Sequence, residues 1–217
     1  MNKLSKHHFW EWFRRNNQEY LALKNKPKKE AAYLLNELNA HLRAYFKFFG
    51  FSLEWHKDRT ALLTITVNGK AMHFKKAEDL VEKAPKIPGW TIVALEGRRP
   101  VDFLLEQQMH QTGIDPRELY FSFAGDDPDN AMLIVYHPLC TPQNEHFICQ
   151  LANLAVFNLL GERSFGTDIG WLKVANLSCA DPADVQELEA LPAYLGLRRS
   201  EMVIDSQGNL VHMQSTV

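Results

Sequence analysis

The sequence predicts an α+β fold, and three observations carry that prediction. The first is internal similarity: Phe51-Ser52-Leu53 followed by Ala61-Leu62-Leu63 returns as Phe121-Ser122-Phe123 followed by Ala131-Met132-Leu133, at one constant offset. Gly89-Trp90 with Val93-Ala94 then returns as Gly170-Trp171 with Val174-Ala175, at an offset enlarged by a longer intervening helix. Ordered similarity at matched places points to one structural unit used twice. The second is strand alternation, Leu63, Ile65 and Val67 against threonines, as in a strand with one buried face. The third is helical periodicity at i, i+3, i+4 spacing. Together they predict two tandem α-β-β-α-β units forming a mixed sheet of about six strands, with helices mainly on one face and an N-terminal helix added.

In chain order, residues 5–22 read as the first helix, with Ser5 as its cap and Phe9, Trp10, Trp12, Phe13 and Tyr20 widening an apolar face. So many aromatics must dock. The protein's own body is the default partner, and a homo-oligomer formed through this helix is the alternative. Residues 28–49 form the clearest helix, with Ala31, Leu34, Leu35, Leu38, Leu42, Tyr45, Phe46 and Phe49 on one side and Gly50 as its stop. Strands over 51–56 and 60–67 follow, then the turn signal Asn68-Gly69, a short helix over 76–83 and a strand over 90–95. The second unit repeats the order: a helix over 100–111 opened by Pro100, strands over 119–124 and 131–137, a helix over 143–160 stopped by Gly161, and a strand over 171–177. A Gly-containing loop bridges the last two. Beyond it, 202–204 and 210–212 read as a hairpin that either extends a sheet edge or stays partly mobile. The expected layout is one compact domain with a shared core: an arm over 1–27, units over 28–97 and 98–180, and an extension over 181–217.

With 46% hydrophobic and 23% charged residues in 217, the chain has the composition of an ordinary soluble globular protein, and needs neither disulfide nor metal to fold. The net charge of −2 conceals an asymmetry. Residues 1–50 hold ten Lys/Arg and four Asp/Glu, or +6, while the remainder is −8. Lys24, Lys26, Lys28 and Lys29 are the best candidates for a basic surface meeting an anionic partner, although a solvated loop explains them equally. No motif supports specific nucleic-acid binding. Three cysteines, Cys140, Cys149 and Cys179, make no disulfide framework, no apolar signal core opens the chain, and no stretch reaches a membrane span. A reducing cytoplasm and no membrane follow as expectations.

The candidate sites are few. His137-x-x-Cys140 and His146-x-x-Cys149 offer four ligands that zinc would accept, but the pairs lie too close together, across Pro142, and Cys149 falls on an apolar helix face. Cys140 with His137 or His146 also permits a thiolate nucleophile, without any signature around it. Asp126, Asp127, Asp129 and Asn130 read as a turn and not a calcium loop, and Gly161–Thr167 lacks the Gly-Lys-Ser/Thr ending of a phosphate loop. Trp90 and Trp171, the duplicated aromatics, are expected to bury their area at equivalent sheet entrances or to flank a shared groove. Arg98 and Arg99 precede Pro100, where a helix N-terminus would receive an anion.

The N-terminal Phe9-Trp10-x-Trp12-Phe13-x-x-Asn16, with Pro88-Gly89-Trp90 later, resembles a bacterial protein family of unknown function. That resemblance rests on about the first hundred residues. It implies a bacterial cytoplasmic origin and no particular activity, cofactor or site. The residues favour a non-enzymatic protein-binding or regulatory module, without a cofactor. A Cys/His hydrolase or zinc protein is the rival, and a small-molecule sensor with an apolar pocket between the units is the third reading.

Overall fold

Helix α1 (Lys6–Leu21) places Phe9, Trp10, Phe13 and Tyr20 in the interior of the first half of the chain. The computed structural model describes residues 6–58, 60–100, 102–103, 114–125, 131–200, 202–204 and 210–212. Ser5, most of the helix expected over 100–111, the acidic turn at 126–130 and the turn at 206–209 lie outside them. The architecture is α+β, and the chain divides into two compact units, Met1–Glu96 and Gly97–Val217. Each unit has its own cluster of buried side chains, where one shared core was expected.

In the first unit, α2 (Lys28–Tyr45) buries Leu34, Leu38 and Leu42. Trp10 Nε1–H donates to the Leu80 carbonyl at 2.9 Å, Tyr20 OH to the Leu34 carbonyl at 3.1 Å, and Trp55 Nε1–H to the Tyr20 carbonyl at 3.0 Å. Buried aromatics that carry polar atoms need such partners, and these bonds tie α1 to three other segments. The face proposed for self-association is therefore already covered within this unit. Helix α2 also ends four residues earlier than its periodicity predicts. Phe46 is extended (φ −151°), and its ring packs on those of Phe48, Phe49 and His73 at 5.4, 5.1 and 4.9 Å. Tertiary aromatic packing overrides the helical pattern there.

Strands β1 (Gly50–Trp55), β2 (Ala61–Thr66) and β3 (Trp90–Ala94) form a three-stranded sheet in that order. The first two are antiparallel. The third returns parallel to β2 after α3 (Phe74–Val81). Gly89, at φ +80°, turns the chain into β3 with Leu21 Cδ1 only 3.2 Å from where a Cβ would sit, so the position admits no side chain without strain.

In the second unit, β4 (Tyr120–Ala124), β5 (Ala131–His137) and β6 (Ile169–Asn176) pair the same way, antiparallel then parallel. Two residues, β7 (Gln186–Glu187), add to β4, giving the order β6-β5-β4-β7. The described strands thus form separate three- and four-stranded mixed sheets and not one sheet of six. The hairpin β8 (Met202–Ile204) and β9 (Leu210–His212) pairs with itself; it is β7 that extends an edge. Helix α5 (Leu191–Ser200) was not foreseen. Helix α4 (Glu145–Asp168) continues where a loop was expected, with one break at Gly161 (φ 73°, ψ 161°). Only glycine takes that backbone freely.

The two hairpins match residue for residue. Phe51↔Ile65 and Leu53↔Leu63 in the first unit correspond to Phe121↔Val135 and Phe123↔Leu133 in the second, all at the constant offset read from the sequence. The third strands do not follow the tryptophan echo. Leu63 faces Ile92 and Leu133 faces Leu172, which makes Trp171 the counterpart of Thr91, while Ile169 takes the ladder place of Trp90. An irregularity between Ala131 and Met132 skips Gly170 in the ladder. Side chains alternate faces along a strand, so this one-residue slip sends the two tryptophans to opposite faces.

Phe13 lies among Phe9, Trp10, Tyr20 and Trp90, its ring 5.0 Å from Trp90. Replacing it with alanine opens a cavity at the centre of that cluster. Phe13→Ala is expected to lower stability by about 3–5 kcal/mol in urea unfolding; a loss below about 1 kcal/mol would show that α1 contributes little to the core.

Candidate functional site

Burial disfavours the charged forms of two of the Cys/His candidates, His137 and Cys140. His137 ends β5 with no exposed surface. Its Nδ1 accepts from the Leu139 N–H at 3.1 Å, which leaves the ring proton on Nε2, facing Glu118 Oε2 at 3.7 Å. Burial holds its pKa below the ordinary imidazole value, and Glu118 and Asp115 pull back only in part. Cys140 donates its N–H to the His137 carbonyl at 3.1 Å, and burial, helped by the negative charge of Glu145, pushes its thiol pKa up. A nucleophilic cysteine needs the reverse shift. The loop between them is fastened: Asn176 Nδ2 donates to the Pro138 and Cys140 carbonyls at 2.9 and 2.8 Å, and Asn144 Nδ2 to the Leu139 carbonyl at 2.8 Å.

His146 is exposed on α4 and meets the Gln150 amide at 2.9 Å, while the Cys149 sulfur accepts from Asn153 at 3.4 Å. The four residues are not brought together as ligands. Among the described residues no three His, Cys, Asp or Glu side chains converge to hold a metal ion.

Arg98 and Arg99 both contact the helix carbonyls next to Gly161. Arg98 Nε–H donates to the Leu160 carbonyl at 3.2 Å and the Arg99 N–H to the Asn158 carbonyl at 2.7 Å. These carbonyls lose their helical partners where α4 breaks at Gly161. A cation there also suits the negative end of a helix. The Arg99 guanidinium lies 4.3 Å from the Phe103 ring centre. Arg98 thus meets the helix break through its side chain and Arg99 through its backbone N–H. Of the lysines, Lys26 is held between Glu19 and Glu30, both at 2.6 Å, and Lys24 lies over Trp55 at 5.3 Å beside an open cleft of about 540 Å³.

The two tryptophans differ as the register requires. Trp90 is half-buried, edge-on to Phe13, with its Nε1 enclosed. Trp171 is 48% exposed, and its ladder neighbour Met132 is 43% exposed. They form an apolar pair on the outer face of the four-stranded sheet, on edge strand β6 and its neighbour. Met132 was outside the sequence candidates, although its alternation with buried Ala131 and Leu133 marks it as outward-facing. A second overlooked cluster is in the first unit, where Lys47, Lys70 and Lys76 gather on Phe46 and Phe48. The interleaving of basic and aromatic residues in Phe46-Lys47-Phe48 and His73-Phe74-Lys75-Lys76 was its signal.

Comparison with protein-family models, curated proteins and solved structures gives no match for this chain. No helix among the described residues is long and apolar enough to cross a membrane.

Two outcomes follow. A His137 whose folded pKa is depressed refuses a proton that the unfolded chain accepts, so stability should fall as pH drops below about 6.5. Urea melts at both sides of that pH should show a smaller difference for His137→Gln than for the wild type; an equal difference would assign the pH dependence elsewhere. Trp90→Ala should cost about 3 kcal/mol and Trp171→Ala about 0.5 kcal/mol or less, since only the first removes interior contacts. Equal losses would contradict the register argument.

Proposed function

We propose that this protein is a non-catalytic binding module that docks a partner protein on the outer face of its four-stranded sheet. The observation that carries this reading is the Met132–Trp171 pair, two large apolar side chains left in solvent side by side on adjacent strands. Tryptophan and methionine are enriched at the centres of protein interfaces, because they bury much area for few frozen rotors. The partner exchanges solvent for contact at that pair, while Lys173, exposed two positions along β6, borders it with charge. The neutral, buried states of Cys140 and His137 support the non-enzymatic side of the reading.

The matched hairpin registers support descent of both halves from one duplicated strand–strand–helix–strand module. On that view the copies diverged in the third strand, where skipping Gly170 turned a tryptophan outward and created the docking face. Three free cysteines suit a reducing cytoplasm, in keeping with the bacterial family that the N-terminal aromatic pattern resembles.

The test uses purified full-length protein as bait in bacterial lysate, beside Trp171→Ala and Met132→Ala. A partner retained by the wild type and lost by both variants, with unchanged melting temperatures, is the expected result. Identical retention by all three baits, or none by any, removes the reading.

A further inference from the structure

We infer that the first unit carries a second binding site, separate from the Trp171 face, for an acidic protein segment in extended conformation. The site is built from three parts of the chain: Phe46, Lys47 and Phe48 after α2, Lys70 in the turn after β2, and His73 with Lys76 at the start of α3. The His73 ring stacks on Phe48 at 4.8 Å and meets Phe46 edge-on at 4.9 Å. On this aromatic base sit three ammonium groups, Lys47 and Lys70 over Phe48 at 4.8 and 4.6 Å and Lys76 over Phe46 at 4.7 Å. All three lysines are exposed, and no carboxylate pairs with any of them among the described residues. Lys75, one residue away, has Asp79 at 3.0 Å.

Local electrostatics argue that this charge awaits a partner. The first turn of α3 contains Lys75 and Lys76 and no acidic residue, although the positive end of a helix favours carboxylates. Lys47 and Lys70 add two more positive charges. The first unit as a whole holds seventeen Lys/Arg against ten Asp/Glu, a net +7, and the second holds seven against sixteen, a net −9. Gathering like charges costs stability in the free protein, and arrangements that break a local rule tend to mark function.

Chemistry selects the ligand. Cation–π contacts hold the ammoniums in place, so less rotamer freedom is lost when an anion arrives. Lys47 and Lys70 are at most 9.4 Å apart, the sum of their distances to the same ring centre. Alternate residues of an extended chain project to one side about 6.8 Å apart, a spacing within that bound, so acidic residues at every second position can reach Lys47 and Lys70 together. Met72, 82% exposed between Lys70 and His73, supplies an apolar contact for such a segment. Nucleic acid fits less well. The faces of Phe48 are taken by two ammoniums and His73, leaving no platform for a base, and the cluster has no arginine for bidentate phosphate contacts.

The experiment measures fluorescence anisotropy of the full-length protein with three probes: a labelled Glu-Ala-Glu-Ala-Glu-Ala-Glu peptide, a single-stranded oligonucleotide of equal charge, and vesicles containing anionic lipid. The expected result is that the peptide binds tightest, that binding weakens as salt rises, and that K47E/K70E/K76E weakens it about tenfold or more. The neutral K47Q/K70Q/K76Q should fall between, and Trp171→Ala should bind the peptide as the wild type does, which separates this site from the sheet face. Circular dichroism verifies that both triple variants stay folded. Tighter binding of the oligonucleotide or vesicles, peptide binding unchanged in both folded triple variants, or no peptide binding by the wild type at low salt overturns the inference.

Discussion

Strand register is the constraint on which the rest of this structure depends. Backbone hydrogen bonds lock each residue of a ladder to one partner, and the two-residue period then assigns every side chain to one face. In both hairpins the buried face is filled the same way: Leu63 and Ile65 in one, Leu133 and Val135 in the other, all without exposed surface. A shift there would exchange Leu63 with Thr64, itself already buried, and Leu133 with Ile134. In the third strands the same rule acts more permissively. Ile92 and Leu172 keep the inward positions, and the irregularity at Gly170 is absorbed at the strand entrance. The indole that results from it faces water.

Polar groups inside the second unit obey a complementary constraint. Breaking α4 at Gly161 frees the carbonyls of Asn158 and Leu160, and the chain answers with Arg98 and Arg99. After the break, Ser164 and Thr167 hydroxyls donate to Asp168, a carboxylate with almost no exposed surface. His137 is only half satisfied: Nδ1 accepts from the Leu139 N–H, while the buried Nε2 makes no hydrogen bond and lies 3.7 Å from Glu118. A buried polar group that is bonded and neutral is inexpensive, whereas a charged one is not. Burial of His137 and Cys140 accordingly disfavours their charged forms.

Charge follows the division into units. Carboxylates meet some of the lysines of the first unit, as at Lys26 and Lys75, and aromatic faces meet others. An ammonium over a ring keeps its charge unneutralised and loses little hydration, so the arrangement orders a lysine without silencing it. The aromatic cluster beneath is also what ends α2 early, so one set of contacts shapes the backbone and displays the charge.

Local periodicity was enough to read the α+β class, the apolar faces of α1 and α2, and the strand positions within a residue or two, because these depend on neighbours along the chain. The alternation around Leu63 and Leu133 already contained the hairpin registers. Of the candidate site, Trp171 was legible as a residue but not as a surface, because its facing depends on a ladder partner some forty residues away. The same limit applies to Arg98 and Arg99, whose contacts lie at a break in a helix sixty residues on, and to Lys47, Lys70 and Lys76, which no spacing rule connects. Only tertiary structure decided these, since facing, burial and charge convergence arise between segments that folding alone brings together.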